Sequence, residues 1–181
     1  MVRRTDITRF LDELLAPRCE LHDSSNNGLQ VEGRHTVGKV IFGVDACLQL
    51  FTEAVAQSAD FVVVHHGISW KDSLSYLTEM NAGRVGLLFR HGISLYASHL
   101  PLDMHPELGH NAVIADRLDL NDRQPFFEYD GAPIGMSGHL PHPMSADELA
   151  GQVDRALSAE CNGLAFGPRT IRRAGVVSGD A

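Results

Sequence analysis

The stretch that decides the fold covers residues 61–67 and reads FVVVHHG. Its first four residues are apolar and three of them are β-branched, which is typical of a strand buried on both faces of a parallel sheet. Since ligands of open α/β sheets bind beyond the carboxyl ends of the strands, His65 and His66 predict a metal or catalytic site. Neighbouring strand residues point to opposite faces, so the two rings are expected to diverge, one toward each of two ions. On this stretch alone, histidines that merely cap or fill a core are an equally good interpretation.

Strands and helices alternate on either side of this stretch. Residues 39–44 read KVIFGV and predict a strand, and apolar residues at helical spacing over 48–55 predict the helix that follows it. Beyond the central strand, a helix is expected over about 77–90 and a strand over 93–97. This order predicts right-handed crossovers and an α/β fold with mainly parallel strands.

The composition turns polar between residues 119 and 125, which predicts a domain boundary there. Two α/β units are therefore expected, with residues 1–122 carrying the metal-ligand loops and residues 123–181 forming a smaller unit. Residues 173–179 resemble the opening of a strand-turn-helix unit, and a strand without its covering helix leaves one face bare. The last unit is thus predicted to be incomplete.

Local patterns in the smaller unit predict three strands and one helix. The strands are expected over 126–129 and 134–140, with a weak one over 164–166. Ser145 and Glu148 have the spacing of a capping box, which predicts the start of a helix.

Charge and composition restrict the classes of partner. The net charge is −8 and Lys39 and Lys71 are the only lysines, which argues against nucleic acid because backbone binding depends on basic side chains. Cys19, Cys47 and Cys161 are odd in number and far apart, so we expect buried, reduced thiols. With no signal peptide and no run of eighteen apolar residues, we expect a soluble cytoplasmic protein without membrane contact.

A second strand end also carries residues of the metal-ligand type. His99 and Asp103 follow the strand over 93–97, and if the two strands are neighbours these groups meet those of the first strand end in one crevice. Imidazole with carboxylate suits zinc, iron or manganese, and a carboxylate can bridge two ions. His105 and His110 are alternative ligands, but bonds to water or backbone are the favoured interpretation for both.

Three motifs carry a family resemblance: NGLQV at 27–31, VHHG at 64–67 and HLPLDMHPELGHN at 99–111. In this order and spacing the chain resembles the YbgI-like family, whose members are often called GTP cyclohydrolase I type 2 homologues. The resemblance implies a two-domain α/β protein with two divalent ions in the crevice between its domains, assembled as a ring-shaped homohexamer. It implies that His65, His66 and Asp103 are metal ligands, that Asp103 bridges the ions, and that His99 lies near them.

Two departures from the family pattern stand out. The resemblance implies further ligands, a histidine and a glutamate, from a C-terminal segment that this sequence does not contain. It also implies consecutive glycines where the chain has Ser178 and Gly179.

The first functional hypothesis is a metal-dependent hydrolase in which a dinuclear centre activates water. His99 is then the candidate for orientation or proton transfer, because it lies close to the bridging Asp103 in the sequence. The family label suggests a purine nucleotide as the small-molecule substrate. The alternative is a non-catalytic metal-binding scaffold or regulatory partner protein, and a third possibility is an α/β domain with purely structural histidines.

Overall fold

The computed structural model describes residues 1–16 and 22–179, which form two compact units. Unit 1 contains residues 1–16 and 22–101, and unit 2 contains residues 102–179. The division of the chain into folding domains at 122/123 stays a prediction.

Unit 1 contains a four-stranded sheet with the order β2 (Gly28–Val31), β6 (Ser94–Ala97), β5 (Phe61–His66), β4 (Val40–Asp45). Strands β4, β5 and β6 run parallel, and β2 is antiparallel to β6. A two-stranded ladder, β1-β3, lies apart from this sheet. The elements of the first part of the chain are β1 (Val2–Arg3), α1 (Arg4–Leu14), β2 (Gly28–Val31), β3 (Thr36–Val37), β4 (Val40–Asp45), α2 (Leu48–Ala56), β5 (Phe61–His66), α3 (Glu79–His91), β6 (Ser94–Ala97) and α4 (Leu100–Asp103).

The stretch over 61–67 lies in the middle of this sheet, as its composition predicts. Phe61 and Val62 are fully buried, and β5 pairs with a parallel strand on each side. The core of unit 1 packs around it, including Phe51 of α2 and Leu88 of α3. As an inner strand of this sheet, β5 places its last two residues, His65 and His66, between the ends of its two neighbours.

Unit 2 contains a three-stranded antiparallel sheet with the order β7-β8-β9. Its core brings together Ala115, Leu118, Leu140 and Val176. The elements are α5 (His110–Arg117), β7 (Asn121–Tyr129), β8 (Ala132–Met144), α6 (Ala146–Leu157) and β9 (Ile171–Val176).

The α/β class is confirmed, but the strand directions are mixed where the sequence predicted mainly parallel strands. The reason lies at Asp130 and Gly131, whose φ angles of 49° and 82° close a tight hairpin between β7 and β8. A two-residue turn of this kind joins antiparallel strands only, whereas a parallel pair needs a long crossover.

The local predictions for residues 119–166 are confirmed at one position and wrong at another. The capping box at Ser145 and Glu148 is present, with both reciprocal hydrogen bonds. The polar segment over 119–125 is partly strand, because β7 begins at Asn121. The weak strand over 164–166 is absent, and this segment is irregular.

The described cysteines are not buried as the sequence predicted. Cys47 is exposed and Cys161 is half-buried, so the expectation of buried thiols was wrong for Cys47, which caps the start of α2. Cys19 lies outside the described residues.

Among the described residues, none of the helices has the length and apolar character that crossing a lipid bilayer requires.

Candidate metal centre

His65 is positioned by the buried end of β5. Its residue surface is 9% exposed, and its ring Nδ1 lies 3.0 Å from the carbonyl oxygen of Ser98, the residue after β6. A carbonyl can only accept, so Nδ1 carries the proton and donates. This tautomer puts the ring's lone pair on Nε2, which is the nitrogen that can bind a metal ion.

His66 is held by a carboxylate from the neighbouring strand. Asp45, the last residue of β4, is the register partner of His66, and its Oδ1 lies 2.7 Å from the ring Nδ1 of His66. Both side chains are solvent-accessible. The Asp45 carboxylate accepts the Nδ1 proton of His66, as the Ser98 carbonyl accepts that of His65. Nε2 is therefore the ligand atom of His66 as well.

His99 is held by the segment that precedes β2. Its ring Nδ1 lies 2.8 Å from Oδ1 of Asp23, and its backbone amide donates to Oδ1 of Asn27 at 2.7 Å. Burial works to raise the pKa of Asp23, but hydrogen bonds from His99, Asn27 and the Ser25 amide outweigh it and hold the pKa at about 2. Asp23 is therefore a fixed anion behind the imidazole.

The three rings form one cluster, so the expectation that His65 and His66 diverge was wrong. Their centroids are 4.5 Å apart, and the His99 ring lies 5.0 Å from that of His65 and 5.6 Å from that of His66. One ligand atom from each residue lies within 4.8 Å of the others.

Trp70 lies beside the cluster. Its ring meets that of His99 edge to face at 4.9 Å and lies 6.1 Å from that of His66. The indole Nε1 donates to the Gly67 carbonyl at 2.8 Å, which fixes the ring in this place.

The loop between His66 and Trp70 is held by Gln30 of the NGLQV motif. Its Oε1 accepts from the amides of Ile68 and Ser69 at 2.8 and 3.1 Å, and its Nε2 donates to the Asn26 carbonyl at 2.7 Å. A side chain at Gly67 would collide with this amide, since a Cβ there lies 2.4 Å from it. Gln30 of this motif thus fixes the backbone between His66 and Trp70.

Asp103 belongs to unit 2, where it is 6% exposed. Its Oδ1 lies 2.7 Å from the ring Nδ1 of His110 and accepts from the Ser178 hydroxyl at 3.1 Å. The hydrogen bond to Asp103 raises the pKa of His110. His105 accepts two backbone amides, as expected, and the ring of His110 bonds the carboxylate of Asp103, a partner that the sequence did not predict.

The sequence predicted the strand-end histidines and missed their partners. His65, His66 and His99 are brought together within unit 1, while Asp103 is held within unit 2 by its own partners. The supporting Asp45 could have been found, because it ends β4 as His66 ends β5. Asp23 carried no signal beyond turn composition, since its partner lies 76 residues away.

Comparisons with known proteins agree with this architecture. A family model described as Duf34/NIF3 (NGG1p interacting factor 3) matches residues 2–181. A protein of Archaeoglobus fulgidus named "GTP cyclohydrolase 1 type 2 homolog" is 41% identical over 174 residues, covering 96% of this chain and 68% of the relative. A protein of the same name from Pyrococcus abyssi is 42% identical over 184 residues, covering 98% of this chain and 71% of the relative.

Solved structures of other proteins have a fold similar to that of this chain. The structure described as "protein ybgI, unknown function" superposes with a TM-score of 0.84 at 36% identity, covering 96% of this chain and 68% of that one. A Thermus thermophilus protein gives 0.82 at 35% identity, covering 94% of this chain and 68% of that one. A Bacillus cereus protein related to NIF3 gives 0.82 at 13% identity over 99% of this chain and 77% of that one, a likeness of fold alone.

Proposed function

This chain belongs to the Duf34/NIF3 family, and from that premise we propose that it is a metal-dependent hydrolase. The observation that carries the proposal is the orientation of three imidazoles. His65, His66 and His99 each turn Nδ1 toward an oxygen acceptor, so that each offers Nε2 from a restrained ring. Carboxylate or carbonyl partners behind the rings are the usual support of metal-binding histidines.

The donor chemistry fits a divalent transition metal. Imidazole suits zinc and iron, carboxylate suits manganese, and the chain offers both types. We propose two ions with His65, His66 and Asp103 among their ligands, as the family resemblance implies. When bound, such ions supply Lewis acidity that makes water a competent nucleophile near neutral pH.

His99 is the proposed group for proton transfer. Asp23 keeps the proton on Nδ1, so the lone pair of the His99 ring is on Nε2, and this ring lies 5.0 Å from that of His65. A carboxylate behind an imidazole also stabilises the imidazolium that forms when Nε2 accepts a proton. Trp70 covers one side of the ring and limits its access to water.

For the substrate we propose a purine nucleotide. Water would add to the ring carbon of the imidazole half of the purine base. The support is the name that the relatives from Archaeoglobus fulgidus and Pyrococcus abyssi carry.

We also propose that the chain assembles as a homohexamer, as the family resemblance implies. Light scattering coupled to gel filtration would measure the mass of the assembly directly.

The test combines metal analysis with turnover. Untagged protein, loaded separately with zinc, manganese and iron, is assayed for bound metal and for conversion of GTP by chromatography. His66→Ala is the informative variant, because this side chain is 42% exposed and its loss leaves no cavity in the core. We expect metal affinity to fall about tenfold or more. His91→Ala, at the exposed end of α3, serves as the control. Turnover that survives His66→Ala at full rate would contradict the assignment.

His99→Ala separates proton transfer from metal binding. If His99 transfers protons, the variant keeps its metal and loses turnover. A loss of metal in parallel with turnover would make His99 a ligand.

A non-catalytic metal-binding scaffold is the second candidate. Two of the three rings, those of His66 and His99, bond to carboxylates, namely Asp45 and Asp23. A negatively charged surround attracts cations and disfavours phosphate groups. Stoichiometric metal without turnover of any phosphorylated substrate would favour this function.

A further inference from the structure

The strand β4 is the last strand on one side of the four-stranded sheet of unit 1. It pairs with β5 along one edge, and no strand in the described part of the chain pairs with its other edge. The Lys39 carbonyl, just before β4, accepts the Phe61 amide of β5 at 3.2 Å. Backbone groups alternate between the two edges of a strand, so the amides and carbonyls of Val40, Phe42 and Val44 lie on the open edge.

The side chains along this open edge are apolar. Phe42 is 73% exposed and Val44 is 60% exposed, and because they are two positions apart their side chains stand on the same face of the sheet. Edge strands of natural proteins are usually protected by a charged side chain, a proline or a bulge. Residues 40–44 contain no charge and no proline, and their register with β5 has no shift. The strand β4 therefore has the properties of a strand that pairs with a strand of another chain.

The sequence of β4 is complementary to itself. Residues 39–45 read KVIFGVD, with Phe42 at the centre. When two copies run antiparallel with Phe42 opposite Phe42, Val40 of each copy faces Val44 of the other. Lys39 of each copy then faces Asp45 of the other, and both residues are exposed. Apolar pairs and pairs of opposite charge directly across two strands stabilise a sheet.

The charges select this register. Moving the centre by one residue, to Ile41 or to Gly43, places Lys39 opposite Gly43 or Cys47 and leaves the charge of Asp45 without an opposite charge. The Lys39 ammonium donates to the Gln57 carbonyl at 3.0 Å and keeps two further N–H groups for a carboxylate.

We propose that β4 is an interface between two copies of this chain, which pair antiparallel through residues 39–45 with Phe42 on the two-fold axis. The two four-stranded sheets then join into one continuous sheet. Such a contact uses the same surface of both copies and closes on itself, so it leaves no open edge at β4 for further copies. This inference goes beyond the proposed function and does not depend on metal binding.

The test places charges on the proposed two-fold axis of the full chain. Phe42→Glu brings two carboxylates face to face, and Phe42→Lys brings two ammonium groups face to face. Each variant alone should dissociate at concentrations about tenfold or more above those of the wild type. An equal mixture of the two variants sets a carboxylate against an ammonium group, so the mixture should recover most of the lost mass. Sedimentation velocity over a range of concentrations measures both effects.

Controls separate the interface from general damage. Phe89 of α3 is also exposed, at 60%, and lies in the same unit, so Phe89→Glu and Phe89→Lys should keep the mass of the wild type. Thermal melting of the Phe42 variants checks the fold, since an exposed side chain leaves no cavity when it is replaced.

Lys39→Glu tests the charge pairs at the two ends of the contact. It sets like charges opposite each other at two places, and we expect dissociation at concentrations about threefold or more above those of the wild type. Asp45 is left unchanged in this variant because it also bonds the ring of His66.

Each outcome decides the inference. Loss of mass in both Phe42 variants with recovery in their mixture supports it, and a smaller loss in Lys39→Glu supports the register. Phe42 variants that keep the mass of the wild type, or a mixture that recovers nothing, overturn it. A wild type that stays a single chain at every concentration would leave β4 to a strand of a different protein, and this too overturns the inference.

Discussion

The carboxylate of Asp23 and the imidazole of His99 lie 76 residues apart in the chain and are joined by a hydrogen bond of 2.8 Å. The side chain of Asp23 is only 6% exposed. A buried anion thus stands directly behind one ring of the candidate metal centre, and both its ionisation and its removal have measurable consequences.

The first prediction concerns Asp23→Asn. The pKa of Asp23 is lowered from 3.8 to about 2 in the folded chain, so its ionised form is stabilised by folding. That contribution, at most about 2 kcal/mol, is present above pH 4 and disappears as the pH falls toward 2. The free energies of unfolding of wild type and variant should therefore converge below pH 4. Asp72→Asn, on an exposed loop, is the control, and a difference that stays constant from pH 6 to pH 2 would contradict the prediction.

The second prediction uses Trp70 as a reporter. It is the only tryptophan of the chain, and its ring lies 4.9 Å from that of His99. Binding of cobalt(II) at the histidines should quench the tryptophan emission strongly, while magnesium, which prefers oxygen ligands, should not. His66→Ala should shift the cobalt titration to higher concentration. Quenching with unchanged midpoint in that variant would place the ion elsewhere.

The third prediction concerns Gly67→Ala. The new Cβ would lie 2.4 Å from the Gln30 amide, which is tied down by bonds to Ile68, Ser69 and Asn26 and so cannot simply swing away. We expect a loss of about 1–3 kcal/mol in unfolding free energy, the cost of leaving buried polar groups without partners.

Gly83→Ala is the matched control for Gly67→Ala. No atom lies within 4 Å of the added methyl, and the position is inside α3. Alanine should stabilise this helix by about 0.5–1 kcal/mol. Chemical denaturation of both variants measures the contrast, and equal effects at the two glycines would refute the role of Gln30.

The fourth prediction concerns alkaline pH. Burial raises the pKa of Tyr96, and its hydrogen bond to Asp12 at 2.9 Å raises it further. The folded chain therefore keeps this proton after the unfolded chain has lost it, so Tyr96 stabilises the fold below pH 10 and ceases to do so as the pH rises. In an absorbance titration the phenol of Tyr96 should ionise above the ordinary range of a tyrosine.

Tyr96→Phe tests the same bond. Stability should fall by about 1 kcal/mol at neutral pH, and the decline above pH 10 should become shallower than in the wild type. Tyr76→Phe should change neither quantity. If the unfolding free energies of wild type and Tyr96→Phe fell with the same slope above pH 10, the Tyr96 phenol would not contribute to the pH dependence of stability.

The sequence was informative where composition alone decides the outcome. The apolar run over 61–64 favours a buried strand, and Phe61, Val62 and Val64 are indeed buried. The histidines that follow this run then lie at the end of a strand. The antiparallel sheet of unit 2 was harder to foresee, since Phe126 and Ile134 are equally compatible with either strand direction. There the short turn at Gly131 decides the pairing.

The supporting residues of the site escaped prediction for a different reason. Asp23 and Ser178 lie outside the helices and strands, and each bonds a side chain more than 70 positions away. No periodic pattern links such partners. Only the folded sheet brings them together.

The three imidazoles depend on contacts between segments 33, 21 and 76 residues apart. Long-range contacts of this kind form late, because the entropy of closing large loops has to be met first. The cation-binding geometry should then emerge only near the native end of the folding reaction. Added zinc would accordingly slow unfolding and leave the refolding rate nearly unchanged.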